Sequence, residues 1–294
     1  MEFRPITIED KSIIKPILFN SLSQICTHNF VNFIIWGEHF LPHYIIENQL
    51  LLIRGGIDEI YYNFPIGNGD KRKLISKLIE NAQQEKNQLI FVNLNDSMKK
   101  ELEEMFPNQF EISYERNSSE YLYLKENLIS LSGKKLQPKR NHIHQFEKTY
   151  NYTFHPMTKN DIKECLSMHE LWSKENDCGE ENCSLQQESC AVKKALINFE
   201  QLDMIGGVLR VEGNVIAFTL GSFINNSTFD VNIEKALANY KGAYTIINKL
   251  FLSVLPNKIV YINREEDMGE AGLRKAKLSY QPYKMLHRYN AILK

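Results

Sequence analysis

The sequence predicts a mixed α/β (α+β) protein built as two similar halves, each a mixed, mostly antiparallel sheet with flanking helices. Three observations predict it. Alternating and helical apolar periods follow one another as strand, two helices, three meandering strands, helix, strand, helix, strand, and this order occurs twice. The stretch from Phe229 to Pro282 reads as strand, Gly-containing turn, amphipathic helix, short strand and a charged turn opening another helix. A length of 294 residues, 43% apolar and 24% charged, is long for one core and ample for two. The halves share no visible sequence similarity, so the repeat is one of pattern.

In the first half a strand over 3–7 precedes Asp10, which caps a helix to about residue 22, and a second helix follows over 30–36. Short polar turns join candidate strands at 43–47, 49–54 and 59–64. Residues 71–86 have a helical period, 89–93 read as a buried strand, and 96–106 as a short helix. Strands at 110–114 and 119–124 close this half. The first domain is therefore drawn over 1–125, a basic linker helix over 126–150 and the second domain over 151–294.

The second half starts with a strand at 152–157, and residues 159–161 open a helix to about 174. A longer helix covers 186–202. Strands at 205–211, 215–223 and 228–233 follow, the first two joined by the tight turn Glu212-Gly213-Asn214. Ile246, Ile247, Leu250, Phe251 and Val254 then mark one helix face. A short strand at 259–262, a helix from near Gly269 and a final strand at 284–291 complete the chain.

A formal charge of −1 gives no global attraction to nucleic acid, so no DNA partner is expected and any tRNA contact needs a local patch. The start Met1-Glu2-Phe3-Arg4-Pro5 has no apolar signal region, and no apolar run approaches the roughly 20 residues of a membrane span. A cytoplasmic protein without an integral membrane segment is expected. Five cysteines, an odd number, fit a reducing compartment. Cys178, Cys183 and Cys190 cluster with His169 nearby, but their gaps are not those of a zinc ribbon, so no metal is expected.

Lys134, Lys135, Lys139 and Arg140, with His142 and His144, form the one locally basic segment. Pro138 suits the first turn of a helix there, and four cations near a positive helix end point to a phosphate contact. The turn Tyr240-Lys241-Gly242-Ala243-Tyr244-Thr245, between a strand and an amphipathic helix, is a reduced phosphate-binding turn and the expected donor site. By the period of two, Asp230, Asn232 and Glu234 share one strand face, which is expected if that face lines a cavity. Glu234 is the candidate general base. Asn263, Glu265, Glu266 and Asp267 follow the next strand, at the edge where open α/β sheets take ligands, and would suit a cationic amine. Trp36, Phe40, Tyr61 and Tyr62 read as core rather than as a base-stacking platform.

The element order matches the N-acetyltransferase fold, in which a splayed pair of central strands opens a donor slot. By analogy with that fold, Tyr289 near the chain's end is a candidate proton donor. The block Gly133-Lys134-Lys135-Leu136-Gln137-Pro138-Lys139-Arg140-Asn141-His142-Ile143 carries a more specific likeness. So do Glu234-Lys235-Ala236, Gly242-Ala243-Tyr244, the stretch from Ile262 to Gly269, and Gly272-Leu273-Arg274-Lys275-Ala276-Lys277. Together they resemble the bacterial proteins grouped with the C-terminal domain of phosphatidylglycerol lysyltransferase, over nearly the whole chain. The resemblance implies tandem N-acetyltransferase-like domains related to aminoacyltransferases that use aminoacyl-tRNA. Relatives often have a histidine two residues before the Glu of Glu-Lys-Ala, where this chain has Asn232, so no base is assigned there. The lysyltransferases proper carry a multi-span membrane domain that this sequence does not show, which turns the expected acceptor away from lipid.

The expected activity is transfer of an acyl or aminoacyl group from acyl-CoA or aminoacyl-tRNA to an amine or hydroxyl, with no tightly bound cofactor. The alternative is a non-catalytic metabolite-binding protein on the same fold. No nucleophile-elbow motif is present, so direct attack is expected rather than a covalent enzyme intermediate.

Overall fold

The computed structural model describes residues 1–176 and 184–294, so Cys178 and Cys183 of the cysteine cluster lie outside the described residues. In chain order, β1 (Arg4–Pro5), α1 (Lys11–Asn20), α2 (Phe30–Ile35) and α3 (Gly37–Phe40) lead into β2 (His43–Glu47), β3 (Leu50–Gly55), β4 (Tyr61–Asn63) and β5 (Ile66–Gly67). Next come α4 (Lys71–Glu85), β6 (Ile90–Leu94), α5 (Asp96–Met105), β7 (Phe110–Tyr114) and β8 (Glu120–Leu124). α6 (Lys125–Ser130) and α7 (Gln137–Thr149) connect to β9 (Tyr152–Pro156), α8 (Ile162–Glu175) and α9 (Ser184–Ile197). The meander is β10 (Ile205–Val211), β11 (Asn214–Phe223) and β12 (Thr228–Ala236). After it come α10 (Ala243–Val254), β13 (Tyr261–Asn263), α11 (Ala271–Leu278), β14 (Lys284–Leu286) and β15 (Tyr289–Leu293).

Local chemistry accounts for these boundaries. Asp70 caps α4 by accepting from the Lys73 amide, and Asn95 caps α5 by accepting from those of Ser97 and Met98. Pro138 sits in the first turn of α7, where its missing N–H costs nothing. At the β10–β11 hairpin both Glu212 and Gly213 have positive φ, the conformation a tight two-residue turn requires.

The strands form two mixed sheets, ordered β1-β2-β3-β4-β6-β15-β7, with β5 paired to β3, and β14-β8-β13-β12-β11-β10-β9. Each sheet has one parallel pair, β4 with β6 and β12 with β13, among otherwise antiparallel neighbours. One expectation is corrected here. Strand 119–124 does not close the first half: β8 lies in the second sheet, between β13 and β14. The final strand is two strands, of which β14 stays in the second sheet while β15 crosses to the first, between β6 and β7. The halves thus exchange a strand each.

One apolar cluster packs α4 and α5 on the first sheet, and another packs α7 and α10 on one face of the second. A further cluster joins the halves: Ile14, Leu18, Phe30 and Val31 meet Met168, Val192, Phe218, Leu220 and Ile233 on the opposite face of the second sheet. No helix among the described residues is long and apolar enough to cross a membrane.

Candidate functional site

β12 and β13 pair only from Thr228–Tyr261 to Asp230–Asn263, after which β12 runs on to Ala236 and the chain beyond Asn263 turns away. The strands therefore part at their C-terminal ends, as the sequence predicted. A bulge sits at the same level: Asp230 faces Ser222 and Ile233 faces Leu220, so Val231 and Asn232 together oppose Gly221. Gly221 is required there, since a Cβ would meet the Phe229 ring at 2.2 Å and the Asp230 carbonyl at 2.3 Å.

The bulge resets the strand's alternation, which corrects the expectation of one shared face. Asp230 and Asn232 turn toward α2, whereas Glu234 turns to the α10 side, beyond Val231 and beside Ala236. A period of two carried across a bulge puts every later residue on the wrong face.

On the α2 side, Asp230 is fully buried. Its Oδ2 accepts from the side-chain amides of Asn29 (3.0 Å), Asn32 (3.3 Å) and Asn232 (3.0 Å), while Oδ1 is buried without a partner. Asn32 also donates to Glu265 Oε1 at 3.0 Å, and Asn263 Oδ1 accepts from the Glu265 amide at 2.7 Å. Glu120 of β8 accepts from the Cys26 amide (2.9 Å), from Asn263, and from Arg288, whose Nε lies at 3.0 Å. Lys277 donates to the carbonyls of Arg264 (2.6 Å) and Glu266. Four carboxylates, Glu120, Asp230, Glu265 and Glu266, thus gather around two cations, Arg288 and Lys277. Burial, reinforced by neighbouring acids, pushes the carboxyls of Asp230 and Glu265 far up and raises that of Glu266.

Cys26, Glu120 and Glu266 bring a thiol and two carboxylates within 4.8 Å of one another. Both Glu120 oxygens already carry hydrogen bonds, Arg288 among the donors, and burial with the adjacent acids holds the thiol protonated. This donor set fits a paired carboxylate better than a metal ligand.

On the α10 side, Glu234 Oε1 accepts from Arg264 Nη2 at 2.7 Å and Oε2 from Asn248 Nδ2 at 2.8 Å. Arg264 Nη1 is buried without a partner. The Tyr280 ring lies 4.9 Å from the Arg264 guanidinium carbon and 4.0 Å from Lys139 Nζ.

The basic segment does not act as one patch. Lys134 and Lys135 are exposed, Lys139 is turned in against Tyr280, and Arg140 donates to the Leu131 and Gly133 carbonyls that end α6. In the Tyr240–Thr245 turn, Gly242 has φ +95°, and a Cβ there would meet the His142 carbonyl at 2.7 Å, so the turn is pressed on α7. Tyr240 packs on Tyr150, Lys241 is exposed, Ala243 and Thr245 are buried, and the Tyr244 hydroxyl accepts from Trp172 at 3.2 Å.

Asp267 stands apart from the acid group. Arg116 (3.1 Å), Arg274 (2.7 Å) and the Tyr121 hydroxyl (2.5 Å) surround it. Burial alone would raise its carboxyl, but these donors hold it well below the usual range. Its geometry is that of a clamp on the 263–269 turn. Tyr289 belongs to the first sheet, where it donates to Asp96 at 3.1 Å and packs on Tyr114, so it does not join these acids.

Sequence reasoning missed Asn29, Asn32, Glu120, Arg264, Lys277 and Arg288. Two asparagines three residues apart at and within the otherwise apolar Phe30–Ile35 helix were the one local signal.

The family model "Phosphatidylglycerol lysyltransferase, C-terminal" matches residues 20–292. A crystal structure of a conserved protein of unknown function from Bacteroides thetaiotaomicron VPI-5482 is 38% identical, with TM-score 0.95 and full coverage of both chains. The C-terminal domain of a putative lysylphosphatidylglycerol synthetase from Agrobacterium fabrum shares the fold at 14% identity and TM-score 0.70, over 97% of this chain and 92% of that one. An uncharacterized protein, MYCGA3080, from Mycoplasmoides gallisepticum (strain R(low / passage 15 / clone 2)) is 28% identical over 180 residues, 59% of this chain. That match spans 56% of the relative's length. The tandem N-acetyltransferase-like fold anticipated from the sequence is the fold observed.

Proposed function

Because the chain belongs to the phosphatidylglycerol lysyltransferase C-terminal family, we propose that it transfers an aminoacyl group and holds that group's ammonium against Asp230 and Glu265. The observation that carries this reading is the partnerless Asp230 Oδ1, buried beside three further carboxylates and two cations where the parallel strands part. A buried excess of negative charge is costly unless protons or a further cation offset it. A plain acyl thioester brings no cation, whereas an aminoacyl ester brings one.

In this reading the Tyr240–Thr245 turn lies beside the donor, aminoacyl-tRNA or, less well matched, acyl-CoA. The acceptor's nitrogen or oxygen bonds to the acyl carbon, the ester bond breaks, and the acceptor's proton passes to the leaving oxygen. Glu234, whose two oxygens are already bonded, is poorly placed to carry that proton, and Glu265 is engaged with the ammonium.

The test is transfer of labelled amino acid from charged tRNA, with acyl-CoA in parallel. The wild-type chain should use the first, and Asp230→Asn should lower the rate by about 10² or more. Tight binding of an amine without turnover would support the second reading, a metabolite-binding protein, which the fully bonded Glu234 favours.

A further inference from the structure

The gap of the first sheet's parallel pair is open. β4 and β6 pair only at Tyr62–Phe91 and Asn63–Val92. Where they part, a cleft of about 670 Å³ lies between 64–71, the start of α5, the 20–28 segment and β14. Its size is that of a small-molecule site, and the C-terminal end of a parallel pair is where open α/β sheets take ligands. Phe64, Ile66 and Leu286 give it a buried apolar floor.

The charges that line it are largely spent on one another. Lys71 Nζ donates to both Glu101 oxygens at 3.0 and 2.9 Å, and Asp96 lies 3.5 Å from His287 and accepts from Tyr289. His28 in the wall is kept neutral, pushed down to about 3 by burial and then by Arg288 and Lys71. Lys284 is exposed at the rim. Beside Lys284, the groups left free at the exposed rim are neutral: the side-chain amides of Asn20, Gln49 and Asn68 have no hydrogen-bonding partner among the described residues.

We propose that this cleft is a second ligand site, for a small uncharged, hydroxyl-rich molecule of the sugar or polyol class. Amides both donate to and accept from hydroxyls, and the paired carboxylates keep spare lone pairs. A charged ligand seated on the cleft floor would compete with the Lys71–Glu101 pair, and an anion would find its one unpaired cation among the described lining residues in Lys284, out at the exposed rim. The site does not depend on the transferase reading. It does share a wall with the acid group: the 20–28 segment that lines the cleft also gives the Gln24 carbonyl to Asn263 and the Cys26 amide to Glu120.

Ligand-observed NMR on the whole chain tests this with glucose, myo-inositol and glycerol, and with glucosamine and glucose 6-phosphate as charged counterparts. At least one uncharged probe should bind, and the charged analogues of glucose should bind about tenfold more weakly, the factor worth about 1.4 kcal/mol. Asn68→Trp, at an exposed rim position, should abolish binding without loss of thermal stability. No binding by any uncharged probe, equal binding of the charged ones, or binding that survives Asn68→Trp would overturn the proposal. Asp230→Asn separates the two readings: it removes the amine site and should leave sugar binding intact.

Discussion

The two parallel strand pairs begin alike and end differently. In the first sheet β4 and β6 part into an open cleft whose charges are largely paired off. In the second, β12 and β13 part around two buried carboxylates, Glu120 and Asp230, and two half-buried ones, Glu265 and Glu266, with two cations among them. The difference comes from what reaches into each gap. α2 and the 23–28 segment of the first half send Asn29, Asn32 and Cys26 into the second sheet's gap, and β8 adds Glu120. An acidic gap in one sheet and a largely paired-off one in the other are why we propose different ligands for equivalent places, a cation in one and an uncharged molecule in the other.

The largest expected effect breaks the contact that holds the exchanged strands together. Glu120→Ala strands the fully buried Arg288, between β14 and β15, without its carboxylate. Chemical denaturation should show a loss of about 3–5 kcal/mol. A loss under about 1 kcal/mol would mean that water reaches the guanidinium.

Gly221→Ala comes next, because the added methyl has no room against Phe229 and the Asp230 carbonyl. The expected cost is about 1–3 kcal/mol. If the strand relieves the clash by losing its bulge, Glu234 moves to the Asp230 face, and chemical-shift changes should extend to Asn29 and Asn32.

The third effect depends on pH. The Asp230 carboxyl is raised in the folded state, so the folded chain holds a proton that the unfolded chain has released. Its contribution is present at and below the ordinary carboxylate range and is lost as pH rises. Asp230→Asn should therefore stabilise the protein at pH 8, by on the order of 1 kcal/mol, and the gain should vanish by about pH 4. Asp267 has the opposite sign: its carboxyl is depressed, so its contribution holds above the ordinary range and fades as pH falls. Denaturation midpoints of Asp230→Asn and Asp267→Asn across pH should slope in opposite directions, and parallel slopes would refute the contrast.

The smallest effect is in the cleft. Lys71 and Glu101 are both partly exposed, and Lys71→Met should change stability by at most about 1 kcal/mol while leaving the pH profile of the acid group unaltered.

Much of the fold was legible from local pattern. His43–Glu47 and Ile205–Val211 have the predicted bounds, and α4, α5 and α10 follow their caps and apolar faces, because period and capping act over a few residues. The 119–124 and 284–291 strands were recognised as strands, but their sheets were misread. Which sheet a strand joins is a long-range choice that alternating residues do not encode. The candidate site was legible as a region: Asp230, Asn232, Asn263, Glu265 and Glu266 do meet. Glu234, Asp267 and Tyr289 do not join them, for three separate reasons: a bulge, a ring of donors and a strand exchange.

By itself the sequence determined the elements, their order and the residue types available at the end of the second sheet's parallel pair. Which acids became neighbours was decided only in three dimensions. Glu120 meets Arg288 across 168 positions and Asp230 meets Asn29 across 201. A carboxylate's charge state follows from burial and from the partners it faces, and neither exists until the halves pack and exchange their strands.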